Sequence, residues 1–339
     1  MKKVLVTGGL GYIGSHTSVA LIESGYEVVI IDDLSNASIE VLDGIKRITG
    51  VEPEFHQFSL CDAQRLADFF EAQPELTCVI HFAASKAVGE SVARPLHYYE
   101  NNVVGLIHLL KNLQGRPEVA LIFSSSCTVY GQADQMPITE TAPMKPAESP
   151  YGNTKQIGEE ILRDLVKAED EISVVALRYF NPIGAHESAE IGELPIGVPQ
   201  NLVPFITQTA SGIREQLLVF GNDYPTADGT CIRDYIHVVD LAEAHVAALK
   251  RLNRKQQKKR FEVFNVGTGR GSSVLEVIKS FERVTGRALK YQFTERRKGD
   301  VIEAFADTSK ANAELGWQAK YTLDDALSSA WKWEQKIRS

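Results

Sequence analysis

Tyr151 and Lys155 stand four residues apart in the run Ser149, Pro150, Tyr151, Gly152, Asn153, Thr154, Lys155. A proline suits the first turn of a helix, and one turn onward brings the phenol and the ammonium onto one face. A phenol ordinarily loses its proton near pH ~10, and an ammonium within about 4–6 Å favours the phenolate. The pair therefore reads as a base. Ser124, Ser125 and Ser126 follow an apolar run at 121–123, and the carboxyl ends of strands line the ligand crevice of an open α/β sheet. A hydroxyl from Ser126 would there meet the Tyr151 pair over a bound nicotinamide.

A second motif supplies the place for that cofactor. Thr7, Gly8, Gly9, Leu10, Gly11, Tyr12, Ile13 and Gly14 come directly after a short apolar run and before a helical pattern. Glycines let backbone approach a pyrophosphate, a helix start presents free N–H groups, and Gly14 lets helix and strand pack closely. Asp32 follows Gly14 at the end of the next apolar run, beside Asp33, where a carboxylate accepts from both ribose hydroxyls and repels a 2'-phosphate. NAD rather than NADP is the expected cofactor.

The elements that must carry these residues alternate through the first 180 positions. Apolar runs at 4–7, 27–31, 78–82, 120–124 and 173–177 show no polar face, and helical patterns at 15–24 and 106–113 lie between them. Such alternation predicts a doubly wound α/β domain with a parallel sheet covered on both sides. After about 180 the rhythm breaks into proline-rich loops and short elements, a smaller mixed α/β lobe running through 181–339. A long amphipathic pattern at 234–252 and an apolar run at 263–266 suit the first sheet, so the 1–180 domain is expected to receive about 234–266 and the lobes to interleave.

Composition narrows the partners. The 36 basic and 44 acidic side chains of this 339-residue chain leave a net charge of -8, unsuited to nucleic acid. The basic stretch from Arg251 to Arg260 has no interleaved aromatics and reads as a solvated helix end or loop. Cys61, Cys78, Cys127 and Cys231 show neither a disulfide framework nor metal-ligand spacing. With no run of ~18 apolar residues and no signal-like start, a soluble cytoplasmic chain is expected, without membrane contact.

Six segments carry a resemblance: TGGLGYIGSHT at 7–17, HFAASKAVGES at 81–91, FSSSCTVYG at 123–131, SPYGNTK at 149–155, LRYFNPIGAH at 177–186 and FGNDYPTADGTCIRDYIHVVDLA at 220–242. Over nearly its whole length the chain resembles the extended short-chain dehydrogenase/reductases and, within them, the UDP-glucose 4-epimerase family. The resemblance implies that Gly8, Gly11, Tyr12, Ile13 and Gly14 hold the NAD pyrophosphate, and that Asp32, Asp33 and Asn36 bind the adenosine half. Ser59, Leu60, Phe82, Ala83, Ala84, Lys86, Asn101 and Phe180, with Tyr151 and Lys155, would complete the cofactor pocket. For the UDP-hexose it points to Ser126, Tyr151, Asn181, Asn201, Leu202, Leu218, Phe220, Arg233, Tyr235, Arg297, Asp300 and Ala304. Guanidinium forks such as those of Arg233 and Arg297 match diphosphate oxygens. A homodimer, paired through a four-helix bundle, is implied as well.

Two positions depart from the family pattern. Phe58 and Ser59 stand where Gly-Asp usually ends the third strand, which leaves Ser59 as the acceptor at the adenine. Ala304 stands where some members carry a tyrosine, and a small residue leaves room for an N-acetyl group, hence UDP-GlcNAc and UDP-GalNAc beside UDP-glucose and UDP-galactose. The implied chemistry is reversible oxidation at sugar C4, with Tyr151 as the base at the 4-hydroxyl, Lys155 favouring its phenolate and Ser126 steadying the same oxygen. Its nearest rival, a nucleotide-sugar 4,6-dehydratase or decarboxylase, requires for dehydration an acid pair where this chain has Cys127 and Thr128. A non-catalytic NAD-sensing regulator is the rival of another class, and such proteins commonly lose the tyrosine or lysine that this chain keeps.

Overall fold

The computed structural model of the chain describes residues 2–297 and 300–339. Its first half alternates strands β1 (Lys3–Thr7), β2 (Glu27–Asp32), β3 (Glu54–Gln57), β4 (Cys78–His81), β5 (Val119–Ser126) and β6 (Ile172–Tyr179) with helices. These are α1 (Tyr12–Glu23), α2 (Val41–Thr49), α3 (Ala63–Ala72), α4 (Val88–Ala93), α5 (Pro95–Tyr99), α6 (Gly105–Leu113) and α7 (Pro150–Ala168). A π turn, Glu100–Val104, joins α5 to α6.

Beyond β6 come β7 (Asn181–Ile183), α8 (Leu202–Ala210), β8 (Leu217–Phe220), β9 (Ile232–Arg233), β10 (Tyr235–His237), α9 (Val238–Asn253) and β11 (Phe261–Val266). The chain ends through β12 (Ser272–Ser273), α10 (Val274–Thr285), β13 (Tyr291–Thr294), β14 (Glu303–Ala304), α11 (Ser309–Leu315) and α12 (Leu323–Lys336).

Seven strands form one parallel sheet in the order β11-β6-β5-β4-β1-β2-β3. Strand side chains alternate between its faces, and both faces are covered, which is why the strands read as unbroken apolar runs. Val4, Val6, Ile30, Ile80 and Ile122 join the core on the side of α1 and α9. Leu5, Val29, Ile31, Val79 and Leu121 join the opposite core with Phe70, Leu109 and Leu162. A third core of Val203, Ile206, Val277, Phe281 and Leu327 holds α8, α10 and α12 together.

The pattern at 234–252 resolves differently from its reading as one helix. Residues 235–237 are a strand paired with β7, and the helix begins at Val238. Asp234 is fully buried, and its carboxylate accepts from the backbone N–H groups of Thr268, Gly269 and Ala306, which fixes the chain in extended form before α9. Strand β5 likewise runs two residues past 124, so Ser126 is the last residue of a strand and lies at its carboxyl end.

The basic stretch is the end of α9 and an exposed loop, with several of its charges paired. Arg251 is buried against Glu262, Lys258 meets Glu314, Lys255 meets Glu118 and Arg260 meets Asp170. Among the described residues no helix is long and apolar enough to cross a membrane.

Candidate active site

Strand β5 and helix α7 carry the candidate reacting groups. Helix α7 starts where it does because Ser149 caps it, its hydroxyl accepting from Gly152 N–H at 3.2 Å, with Pro150 in the first turn. Tyr151 and Lys155 thereby fall on the turn nearest the end of β5. The ammonium of Lys155 lies 6.0 Å from the centre of the Tyr151 ring and 5.2 Å from that of Phe123. It donates to the carbonyl of Ser124 at 2.7 Å, which sets its direction. Ser126 caps the single turn that follows β5, its Oγ accepting from Thr128 N–H at 3.2 Å, and its side chain is near enough to the Tyr151 phenol to favour the charged form.

Burial governs the protonation of this group. It pushes the Tyr151 phenol up to about 12, with the Ser126 side chain acting in the opposite direction. It also brings the Lys155 ammonium down to about 8. Tyr–Lys spacing alone predicts a phenol lowered by its neighbour. In the folded chain desolvation of the phenol dominates, and Lys155 Nζ is turned toward the Ser124 carbonyl.

The glycine loop follows β1, two strands from β5 in the same sheet. Gly8 has φ +68, and a Cβ there would stand 2.7 Å from the backbone nitrogen of Ala83. A Cβ on Gly14 would stand 2.2 Å from the carbonyl oxygen of Gly8. Backbone thus packs on backbone at both places. Helix α1 begins at Tyr12 after Gly11, which has no side chain to cap it, so the first N–H groups of α1, on Tyr12, Ile13 and Gly14, face outward unpaired within the helix.

Asp32 ends β2 and is 8% exposed; its carboxylate accepts from Leu10 N–H at 3.1 Å and Leu34 N–H at 2.9 Å. Burial raises its pKa, while these hydrogen bonds favour the charged form. A bare helix start, a cradle that any Cβ would fill and a fixed acid at the end of the neighbouring strand fit a dinucleotide.

The remaining cofactor candidates surround this floor. Asp33 accepts from Ser35 N–H, and Asn36 is exposed in the turn after β2. Ser59 follows β3 with its hydroxyl accepting from Cys61 N–H, and Leu60 is buried. Phe82, Ala83 and Ala84 leave the end of β4, while Lys86 lies 5.8 Å from the centre of the Tyr12 ring. Asn101 sits in the π turn and donates to Asn102, whose amide is bonded to both backbone groups of Ser85. Phe180 is buried just past β6.

The sugar-side candidates gather from more distant parts of the chain. Strand β14 pairs with β9 so that Ala304 lies opposite Arg233, and the Arg233 guanidinium is 3.7 Å from the carboxylate of Asp300. Arg297 stacks 4.5 Å over the Phe220 ring. Leu218 shares the outer face of β8 with Phe220. Asn181 and Tyr235 are neighbours through the β7–β10 pairing. Asn201 precedes α8, which begins at Leu202, and donates to Glu193 at 2.6 Å. Glu193 was not among the residues singled out from sequence, although it also approaches Lys86 at 3.6 Å. An isolated acid in a proline-rich loop leaves no periodic signal.

A dinucleotide cradle, a Ser–Tyr–Lys group and a second lobe lined with arginine define a short-chain dehydrogenase/reductase of the kind that handles nucleotide sugars. The sequence family described as GDP-mannose 4,6 dehydratase matches residues 5–330. A UDP-glucose 4-epimerase of Bacillus subtilis (strain 168) is 52% identical over 331 residues, 98% of this chain and 96% of the relative.

Among solved structures, UDP-glucose-4-epimerase from Stenotrophomonas maltophila with bound NAD and formylated UDP-arabinopyranose is 47% identical, with a TM-score of 0.95, over 100% of this chain and 99% of that one. UDP-glucose 4-epimerase from Bifidobacterium longum in complex with NAD+ and UDP is 44% identical, also at 0.95, over 99% of both chains. The chain belongs to the UDP-glucose 4-epimerase family.

Proposed function

We propose that the protein is an NAD-dependent 4-epimerase that interconverts UDP-glucose and UDP-galactose. The observation that carries this reading is the meeting of Ser126, Tyr151 and Lys155 at the carboxyl end of β5, in the same parallel sheet whose β1 runs into the glycine loop. NAD, when bound, supplies a reversible hydride acceptor and, in its oxidised form, a positive ring charge that favours the phenolate. Its pyrophosphate would rest on the N–H groups of Tyr12, Ile13 and Gly14, and its adenosine on Asp32, Asp33, Asn36, Ser59 and Leu60.

Tyr151 Oη takes the proton of the sugar 4-hydroxyl and returns it. Ser126 Oγ holds the same sugar oxygen. Lys155, fixed by the Ser124 carbonyl, orients the nicotinamide ribose beside the phenol. Arg233 and Arg297 grip the diphosphate, and the hexose, oxidised at C4 by loss of its hydride and hydroxyl proton, turns over before both are returned to its other face while the UDP stays anchored, a use of remote binding energy to retain the oxidised sugar. The wall at Ala304 extends the substrates to UDP-GlcNAc and UDP-GalNAc.

Residues 1–180 with about 234–266 form the cofactor lobe and the rest the substrate lobe, a division supported by α9 packing on α1 and by β11 closing the sheet. A homodimer is supported by Val88, Val92, Leu96 and Val104, which leave apolar surface exposed along α4, α5 and the π turn. The free thiols of Cys61, Cys78, Cys127 and Cys231 support a reducing compartment, the cytoplasm. Incubation with UDP-galactose, without added NAD, and chromatography of the products tests the activity: UDP-glucose is the expected product. Light scattering of Leu96→Glu tests the dimer, with a monomer expected.

A further inference from the structure

Beneath the reacting groups lies a charged network that the chemistry above does not use. Glu159 follows Lys155 by one turn of α7 and is fully buried. Its Oε1 accepts from the Ser125 hydroxyl at 2.7 Å and from Arg178 Nε at 2.7 Å, and its Oε2 accepts from Arg178 Nη2 at 2.6 Å and from Arg163 Nη2 at 2.7 Å. Arg178, on β6 and 2% exposed, stacks 4.8 Å over the Tyr130 ring and donates from Nη1 to the Tyr130 hydroxyl at 2.9 Å. Tyr130 in turn donates to Asn265 on β11 at 2.6 Å.

Each partner adjoins a working residue. Ser125 precedes Ser126, Tyr130 ends the turn that Ser126 caps, and Glu159 shares its helix face with Tyr151 and Lys155. A buried ion pair costs desolvation, and an apolar replacement of the same shape is often as stable or more so. Stability alone is thus a weak reason to keep one here. A fork of two N–H···O bonds, by contrast, fixes direction as well as distance.

We propose that Glu159 and Arg178 are positioning residues: their paired fork to β6, with the Ser125 bond to β5, locks helix α7 to the two strands and so sets the separation of the Tyr151 and Ser126 hydroxyls. The inference rests on the reading of Ser126 and Tyr151 as the proton-handling groups. Because general acid–base chemistry is sensitive to a displacement of about 1 Å, loosening this lock costs turnover before it costs nucleotide binding.

The test compares turnover with UDP affinity in the holoenzyme. UDP titration gives both the dissociation constant and the number of competent sites, and kcat is expressed per competent site. Wild-type protein that does not convert UDP-galactose removes the proposed function itself, before any variant is made. In active protein, Glu159→Gln is expected to lower kcat per site at least about ten-fold while the UDP dissociation constant stays within about two-fold.

The double variant Glu159→Met with Arg178→Met, which removes both buried charges, is expected to melt no lower than the wild type and to remain as slow as the single variant. Ser125→Ala, which leaves the ion pair intact, is expected to lose about three- to ten-fold in kcat. Wild-type kcat per site in the double variant, or in Ser125→Ala, overturns the proposal and leaves the network a matter of packing.

Discussion

The candidate catalytic floor and the sugar-side candidates, the proposed cleft, are built in opposite ways. On the floor, Ser126 and Lys155 are nearly inaccessible, and Lys155, Ser126 and Asp32 are each held by a backbone group. In the cleft, Asn201, Leu218 and Arg297 are exposed, and Arg233 meets Asp300 only at the range of a loose ion pair. Fixed hydroxyls and an anchored lysine suit a proton transfer that tolerates no misplacement. A cleft that grips by charge and leaves its wall small at Ala304 suits a sugar that must turn while its nucleotide stays. On the proposed function, kcat belongs to the floor, and binding and specificity to the sugar side.

The largest effect expected is that of Tyr151→Phe, a loss of about 10²–10⁴-fold in kcat with little change in UDP affinity. Steady-state kinetics beside UDP titration checks it, and an unchanged kcat removes Tyr151 from the proton transfer. Arg233→Lys is the matching break in the cleft. It replaces a two-pronged donor by a point charge and is expected to raise KM about ten-fold while kcat stays within about three-fold. A fall in kcat without a change in KM would place Arg233 on the wrong side of the comparison.

Ala304→Tyr sharpens the cleft further: UDP-GalNAc turnover is expected to fall at least about ten-fold, while UDP-galactose turnover stays within about two-fold, because a filled wall excludes only the N-acetyl group. Equal loss on both substrates would show that Ala304 does not line the C2 side of the hexose.

The smallest effect is on stability and reports the burial of four histidines. Burial lowers His16 and His81 to about 3, and His237 and His245 to about 4. Each folded value lies below the ordinary 6.5, so under that pH the unfolded chain binds protons that the folded chain refuses. Stability therefore declines as pH falls from about 6.5 toward 4. Asp32, Asp234 and Asp240, raised by burial, oppose this only near the carboxylate range. Melting at pH 7 and pH 5 reads the slope; equal melting temperatures contradict it.

Sequence made one of these regions far more legible than the other. Gly8, Gly11, Gly14, Asp32, Tyr151 and Lys155 lie in motifs whose spacing follows from a single strand, turn or helix, so local reasoning reached them. Arg233, Asp300 and Ala304 are brought side by side by two-residue strands, too short for any periodicity, and only the family resemblance pointed to them. The phenol's rise was missed because desolvation depends on which elements cover Tyr151, and spacing carries no such information. Glu159 and Arg178 went unremarked for the same reason, since a buried ion pair between a helix and a strand reads in sequence as two surface charges. Asp234 misled as a helix start because its three N–H partners come from residues 268–306.

Conversion of UDP-galactose by the purified protein without added NAD, followed over time beside Tyr151→Phe, tests the central claim most directly. The account predicts that the wild-type protein forms UDP-glucose until the two sugars reach equilibrium, with no net oxidised product, and that the variant forms it at least about a hundred-fold more slowly. Accumulation of a 4-keto or dehydrated sugar, or conversion by the variant at the wild-type rate, would contradict it.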